Sequence, residues 1–120
     1  MILVPISLGE LYDKLSILYI KKNRITDDNK LINIESEYDL LLELTKNAPI
    51  DYYYWYDLLQ INSQLWDLEN KIREKEKLAE FDNVFIEIAR AIHYTNDKRS
   101  QIKKEINTKY KSEIIEEKSY

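Results

Sequence analysis

"NVFIEIARAIHYTNDKRSQIKKEIN" occupies residues 83–107. Within it, Phe85, Ile88, Ile92, Thr95, Arg99, Ile102 and Ile106 recur by alternating steps of three and four. The spacing averages about 3.5 residues, the period of a coiled-coil seam. A helix over 83–110 is roughly 42 Å long at about 1.5 Å per residue. A compact sphere of 120 residues is about 35 Å across. The helix overruns such a sphere. The stretch therefore predicts an elongated bundle, best completed by a second copy of the chain.

The rest of the chain supplies three further helical patterns. "EFDN" at 80–83 breaks the preceding helix, which carries Leu58, Ile61, Leu65, Leu68 and Ile72 on one stripe and is expected over 52–79. The connection is only a few residues long, so the third and fourth helices form an antiparallel hairpin. Near the N-terminus, Ser7 and Glu10 give a capping-box pattern after Pro5, and a helix follows over 8–24. Leu8, Leu11, Leu15 and Leu18 face inward, and Ile17 and Ile20 widen that face, so this helix is buried on more than one side. Asp27 or Asp28 caps a second helix, expected over 28–47, with Leu31, Ile34, Tyr38, Leu41, Thr45 and Ala48 as its stripe and Pro49 beyond its end. "ILVPI" and "EIIEEKSY" at the two ends fall outside the helical pattern and either pair as short strands or lie extended across the bundle. The expected fold class is all-α: an elongated bundle of about four helices, one domain over 1–120.

Composition excludes several kinds of function. The chain holds no cysteine, one glycine and two prolines. Thiol nucleophiles, disulfides and zinc fingers are ruled out, and so are the glycine-rich loops that cradle phosphates. A net charge of −4 argues against a broad nucleic-acid-binding face. No apolar run approaches the roughly 20 residues of a membrane span, and the N-terminal segment lacks a basic leader. The expectation is a cytoplasmic protein that binds neither nucleic acid nor membrane.

Catalytic machinery finds little support. His93 is the one histidine, with no serine suitably placed for a triad. Helical zinc and di-iron sites need paired histidines or Glu-x-x-His, which do not occur. Helical nucleoside triphosphate pyrophosphatases need Glu-x-x-Glu followed by Glu-x-x-Asp, whereas here Glu10-x-x-Asp13 comes first and Glu113-x-x-Glu116 lies at the opposite end. No catalytic residue, metal ligand or cofactor is expected.

Three charged strips remain. On the first helix, Glu10, Asp13, Lys14, Lys21 and Arg24 run beside the apolar face, with Glu10 and Lys14 at the spacing of a helical ion pair. The third helix carries Asn62, Trp66, Glu69 and Arg73 one position after its core stripe. On the fourth, Arg99 stands where the seam demands an apolar residue, with Asn96, Lys103 and Asn107 alongside. A guanidinium in a seam is costly unless a carboxylate meets it, and Glu69 or Asp13 is the expected partner. The plain alternatives are a solvated flank on the first helix and a packing role for Trp66. Lysines outnumber arginines 14 to 4, so the arginines that remain fit positions needing a planar fork. Tyr52, Tyr53, Tyr54, Trp55 and Tyr56 form an unbroken aromatic run that points all round a helix, a feature suited to a protein partner.

"VPISLGELYDKLSILYIKKNRI", "INSQLWDLENKIREKE", "ARAIHYTNDKRSQIKKEIN" and the closing "SEIIEEKSY" together resemble a family of short bacterial and phage proteins known only as a domain of unknown function. The resemblance implies a shared fold and supplies no activity; the tyrosine-rich run at 52–56 lies outside the family's pattern. It places Glu10, Asp13, Lys14, Lys21, Arg24, Trp66, Glu69, Arg73, Asn96, Arg99, Lys103 and Asn107 inside its motifs. Two readings follow. In one, the chain is a non-catalytic, homodimeric interaction module whose polar cluster fixes helix register. In the other, the same cluster receives an anionic small molecule, such as a phosphate or sugar phosphate.

Overall fold

The computed structural model describes residues 1–120. It contains four helices, α1 (Leu8–Arg24), α2 (Asp28–Thr45), α3 (Tyr52–Lys77) and α4 (Asn83–Lys109), and no strand. Each helix lies within two residues of its expected bounds. The two end segments are extended without pairing. Ser7 caps α1 through the Glu10 amide, Asp27 caps α2 through Lys30, and Asp82 caps α4 through Phe85. Asp51 precedes α3 without capping it, because its carboxylate is drawn 2.7 Å from Lys109 Nζ at the end of α4.

Helix α1 is central. It packs against all three other helices, and eight of its 17 residues are buried, including Leu11, Leu15, Leu18 and Ile20. A helix apolar on so wide an arc has to be enclosed on several sides. Helices α3 and α4 form the antiparallel hairpin: the start of α3 meets the end of α4 at Asp51–Lys109 and Tyr54–Tyr110. The core closes around Tyr12, Leu58 and Ile106. Tyr12 donates its hydroxyl to the Ala48 carbonyl at 2.6 Å, and burial raises its pKa above the ordinary tyrosine value.

Two parts of the chain are far less enclosed. Helix α2 packs on α1 alone, so of its expected stripe only Ile34 is buried; one neighbour can cover one face. In the hairpin, no residue from Trp66 to Tyr94 is buried. Helix α1 reaches only the start of this stretch, at Trp66, Asp67 and Glu69, and Ile72, Phe85, Ile88 and Ile92 lie beyond it, none of them buried. The radius of gyration is 16.0 Å, against about 13.6 Å for a compact chain of this length.

Both hairpin helices end in the same way. Ala79 (φ 54°) and Lys111 (φ 53°) are left-handed. The following amides, Glu80 and Ser112, reach back to the Lys75 and Asn107 carbonyls, forming Schellman motifs without the usual glycine.

Candidate functional site

The start of α1 is where the fold becomes chemically specific. The first amides of any helix lack partners within it. Here Leu8 N–H donates to Ser112 Oγ at 3.1 Å, Gly9 N–H to Asn107 Oδ1 at 2.7 Å and Glu10 N–H to Ser7 Oγ at 3.1 Å. Two of the three acceptors lie some hundred residues away in sequence. The opening and closing motifs of the chain thus interlock at one point. Gly9, the one glycine of the sequence, makes the contact possible: a Cβ there would stand 2.6 Å from the Lys103 carbonyl oxygen.

One turn further along, the charges converge. Lys103 Nζ donates to Glu10 Oε2 at 2.6 Å and to Glu116 Oε2 at 3.4 Å, with Asp13 Oδ2 at 3.9 Å. Asp13 and Lys103 are mostly enclosed, their side chains 7% and 12% exposed. An enclosed carboxylate is tolerated when it is paired and hydrogen-bonded, and Asp13 is both. Asn62 Nδ2 donates to its Oδ1 at 2.8 Å and to Ser16 Oγ, also at 2.8 Å. The opposite side of the Asn62 amide accepts from Arg99 at 3.2 Å, and Arg99 donates to Asn96 Oδ1 at 2.8 Å. No buried side-chain nitrogen or oxygen lacks a partner.

The C-terminal segment closes over this cluster. Lys118 donates to Glu116 at 2.7 Å and Glu117 lies 3.5 Å from Lys104. The Lys118 hydrogen bond, reinforced by the charge of Lys103, holds the Glu116 carboxyl below its ordinary pKa; Glu116 in turn raises that of Lys118.

Of the residues singled out by sequence, Glu10, Asp13, Asn62, Asn96, Arg99, Lys103 and Asn107 meet here. Lys14 is exposed and does not pair with Glu10, whose carboxylate turns to Lys103 instead; the same turn keeps Glu10 from completing the capping box. Arg24 binds Asp67 at 2.9 Å and sits over Trp66, 5.9 Å from the ring. Arg73 lies 3.8 Å from Glu69 on the exposed side of α3. The expected carboxylate partner of Arg99 is also corrected: neutral asparagine amides take that place, and Asp13 stands behind Asn62. Lys21, Trp66, Glu69 and Arg99, with Ile17 and Asn62, line an open cleft of about 290 Å³ next to the cluster. Gly9, Ser16, Ser112 and Glu116 complete the network without having been singled out. Gly9 alone carried a signal, as a lone glycine inside a helical pattern.

A family model described as a family of unknown function, DUF6165, matches residues 2–120. The chain belongs to that family. The match spans the interlocked ends, so both the docked start of α1 and the closing segment lie within the DUF6165 region. No curated protein and no solved structure matches the chain.

Proposed function

We propose that this protein is a non-catalytic helical module that works as a homodimer, its polar cluster setting helix register and the outer half of the α3–α4 hairpin forming the interface. The observation that carries the reading is surface area. The chain exposes 8543 Å², whereas a folded monomer of 14.5 kDa exposes about 6,900 Å². The excess is about 1,600 Å², and a stable interface takes about 800 Å² from each partner. Extended segments 1–6 and 113–120 account for part of it. The rest is shared between α2, where Ile32, Leu40 and Leu44 are exposed, and the region between Trp66 and Tyr94, where nothing is buried.

Chemistry favours a second copy as the occupant. Leu68, Ile72, Ile88 and Ile92 continue the seam, and Val84 and Ile86 add exposed apolar surface beside it. Two helices facing each other enclose one stripe apiece; two such hairpins packed together enclose four-helix layers. Acidic and basic residues interleave along 67–98, so no large field of one sign opposes self-association. Coiled-coil packing between the hairpins follows from the seam's period. The cluster's own pairing, with Lys103 facing three carboxylates, suits a structural polar layer rather than a reacting one. The same reading takes the protein as cytoplasmic, on its cysteine-free composition. The tyrosines at 52, 53 and 56, all exposed, offer a second surface to a protein partner.

Sedimentation equilibrium tests the proposal. The wild type is expected at twice its chain mass, and Ile88→Lys at the chain mass with its helix content kept. A wild type that stays monomeric to millimolar concentration would sink it.

A further inference from the structure

The polar cluster is electrically uneven. Around Lys103 every charge is answered. Arg99 and Lys21 differ: neither has a carboxylate oxygen within 4 Å, and both line the cleft floored by Ile17, Asn62 and Trp66. They come from separate helices, α1 and α4, while α3 provides the indole between them.

Arg99 is also held in place. Its guanidinium is fixed by the Asn62 and Asn96 oxygens at 3.2 and 2.8 Å. Asn62 is itself buried and locked by Asp13 and Ser16. A guanidinium carries five N–H donors in a rigid fork suited to two oxygens of one anion. Two of its nitrogens are used as anchors to neutral acceptors, which position the group without neutralising it. Arg99 ends on amides and borders an open cleft, so its charge is left for a ligand while its anchors serve the cluster. Immobilising such a group before the ligand arrives lowers the ordering cost of binding.

We infer that the cleft between α1, α3 and α4 binds a phosphate monoester, with Arg99 and Lys21 on the phosphate and Trp66 and Ile17 against a planar or apolar body. Two cations match the two charges of a monoester near neutral pH. The apolar wall gives the rest of the molecule a surface that inorganic phosphate does not use. Glu69, in the same cleft and partly answered by Arg73 at 3.8 Å, opposes the anion and limits its affinity. The site lies within one chain; it borders the outer hairpin at Trp66 and Glu69, and Ile88 is outside its lining.

Phenyl phosphate and inorganic phosphate serve as probes, read by calorimetry and by the Trp66 indole N–H resonance. Phenyl phosphate is expected to bind saturably, and about tenfold more tightly than inorganic phosphate. Lys21→Gln and Arg99→Gln each weaken it about tenfold, Glu69→Gln tightens it, and Lys104→Gln outside the cleft leaves it unchanged. The Ile88→Lys variant binds as the wild type does, which separates this site from the dimer. Lys21 is only half-buried and in no ion pair, so its replacement reads the site even if Arg99→Gln unfolds the chain. Absence of saturable binding at millimolar phenyl phosphate, or binding that survives Lys21→Gln undiminished, would overturn the inference.

Discussion

The inner and outer halves of the α3–α4 hairpin are built from similar residues and end in different states. In the inner half, Leu58, Ile61 and Leu65 face Ile102 and Ile106, and α1 lies across them; Leu58 and Ile106 are fully buried. In the outer half, Ile72, Ile88 and Ile92 continue the same stripes beyond the reach of α1, and none is buried. Apolar content is not what separates them. The presence of α1 is, and its docking depends on a close backbone approach at Gly9 and on amides that only the far end of the chain can satisfy.

Replacing a core residue gives the sharpest contrast. Leu58→Ala is expected to cost about 3 kcal/mol in chemical denaturation, the usual range for an enclosed leucine. Ile88→Ala, measured on dilute protein, is expected to cost less than about 1 kcal/mol, because little apolar area is withdrawn from water there. Equal losses would erase the distinction between the halves.

Gly9→Ala tests the docking itself. Helix propensity alone favours alanine by about 1 kcal/mol. The added methyl meets the Lys103 carbonyl, and that neighbour is backbone with no freedom to turn aside. A net destabilisation of about 2 kcal/mol is expected, at the level of an overpacked core. A stabilised variant would show that α1 does not sit so close to α4.

At the hairpin's tip the sign reverses. Ala79 holds a left-handed conformation that costs a residue with a Cβ about 1 kcal/mol. Ala79→Gly is expected to raise stability by about 0.5 kcal/mol after glycine's entropy cost is set against the relief.

The smallest effect belongs to the closing segment. Glu116 has a folded-state pKa below its unfolded value, so its contribution is fully present above about pH 4.3. It is lost as pH falls through the depressed value. Half-exposed pairs of this kind are worth about 0–1 kcal/mol, lessened by solvent screening. In chemical denaturation, the wild type is expected to lose up to about 1 kcal/mol relative to Glu116→Gln as pH falls from neutral through the depressed value.

Much of this fold was legible because it rests on spacing. Period and caps located all four helices to within two residues, and the length of α4 announced an elongated molecule. What escaped were features that depend on long-range approach. Gly9 reads as a weak spot in a helix until Lys103 is seen against it. The Schellman ends at Ala79 and Lys111 lack the glycine that marks such turns. The pairing of charges was the least legible part. Glu10 has Lys14 at good helical spacing, yet Lys103 offers an enclosed site where attraction is screened less. Arg99 called for a carboxylate, and Asn62 stands between it and Asp13, accepting from Arg99 and donating to Asp13. Sequence spacing ranks partners within a helix; it does not order competition between helices.

The claim that the outer hairpin is completed by a second copy is tested most directly by amide hydrogen exchange followed over protein concentration. Residues 72–92 are expected to gain protection steadily as concentration rises, while Leu15, Leu58 and Ile106 keep theirs throughout. If protection in 72–92 is the same at every concentration, the outer hairpin has no partner copy, and the homodimer reading fails.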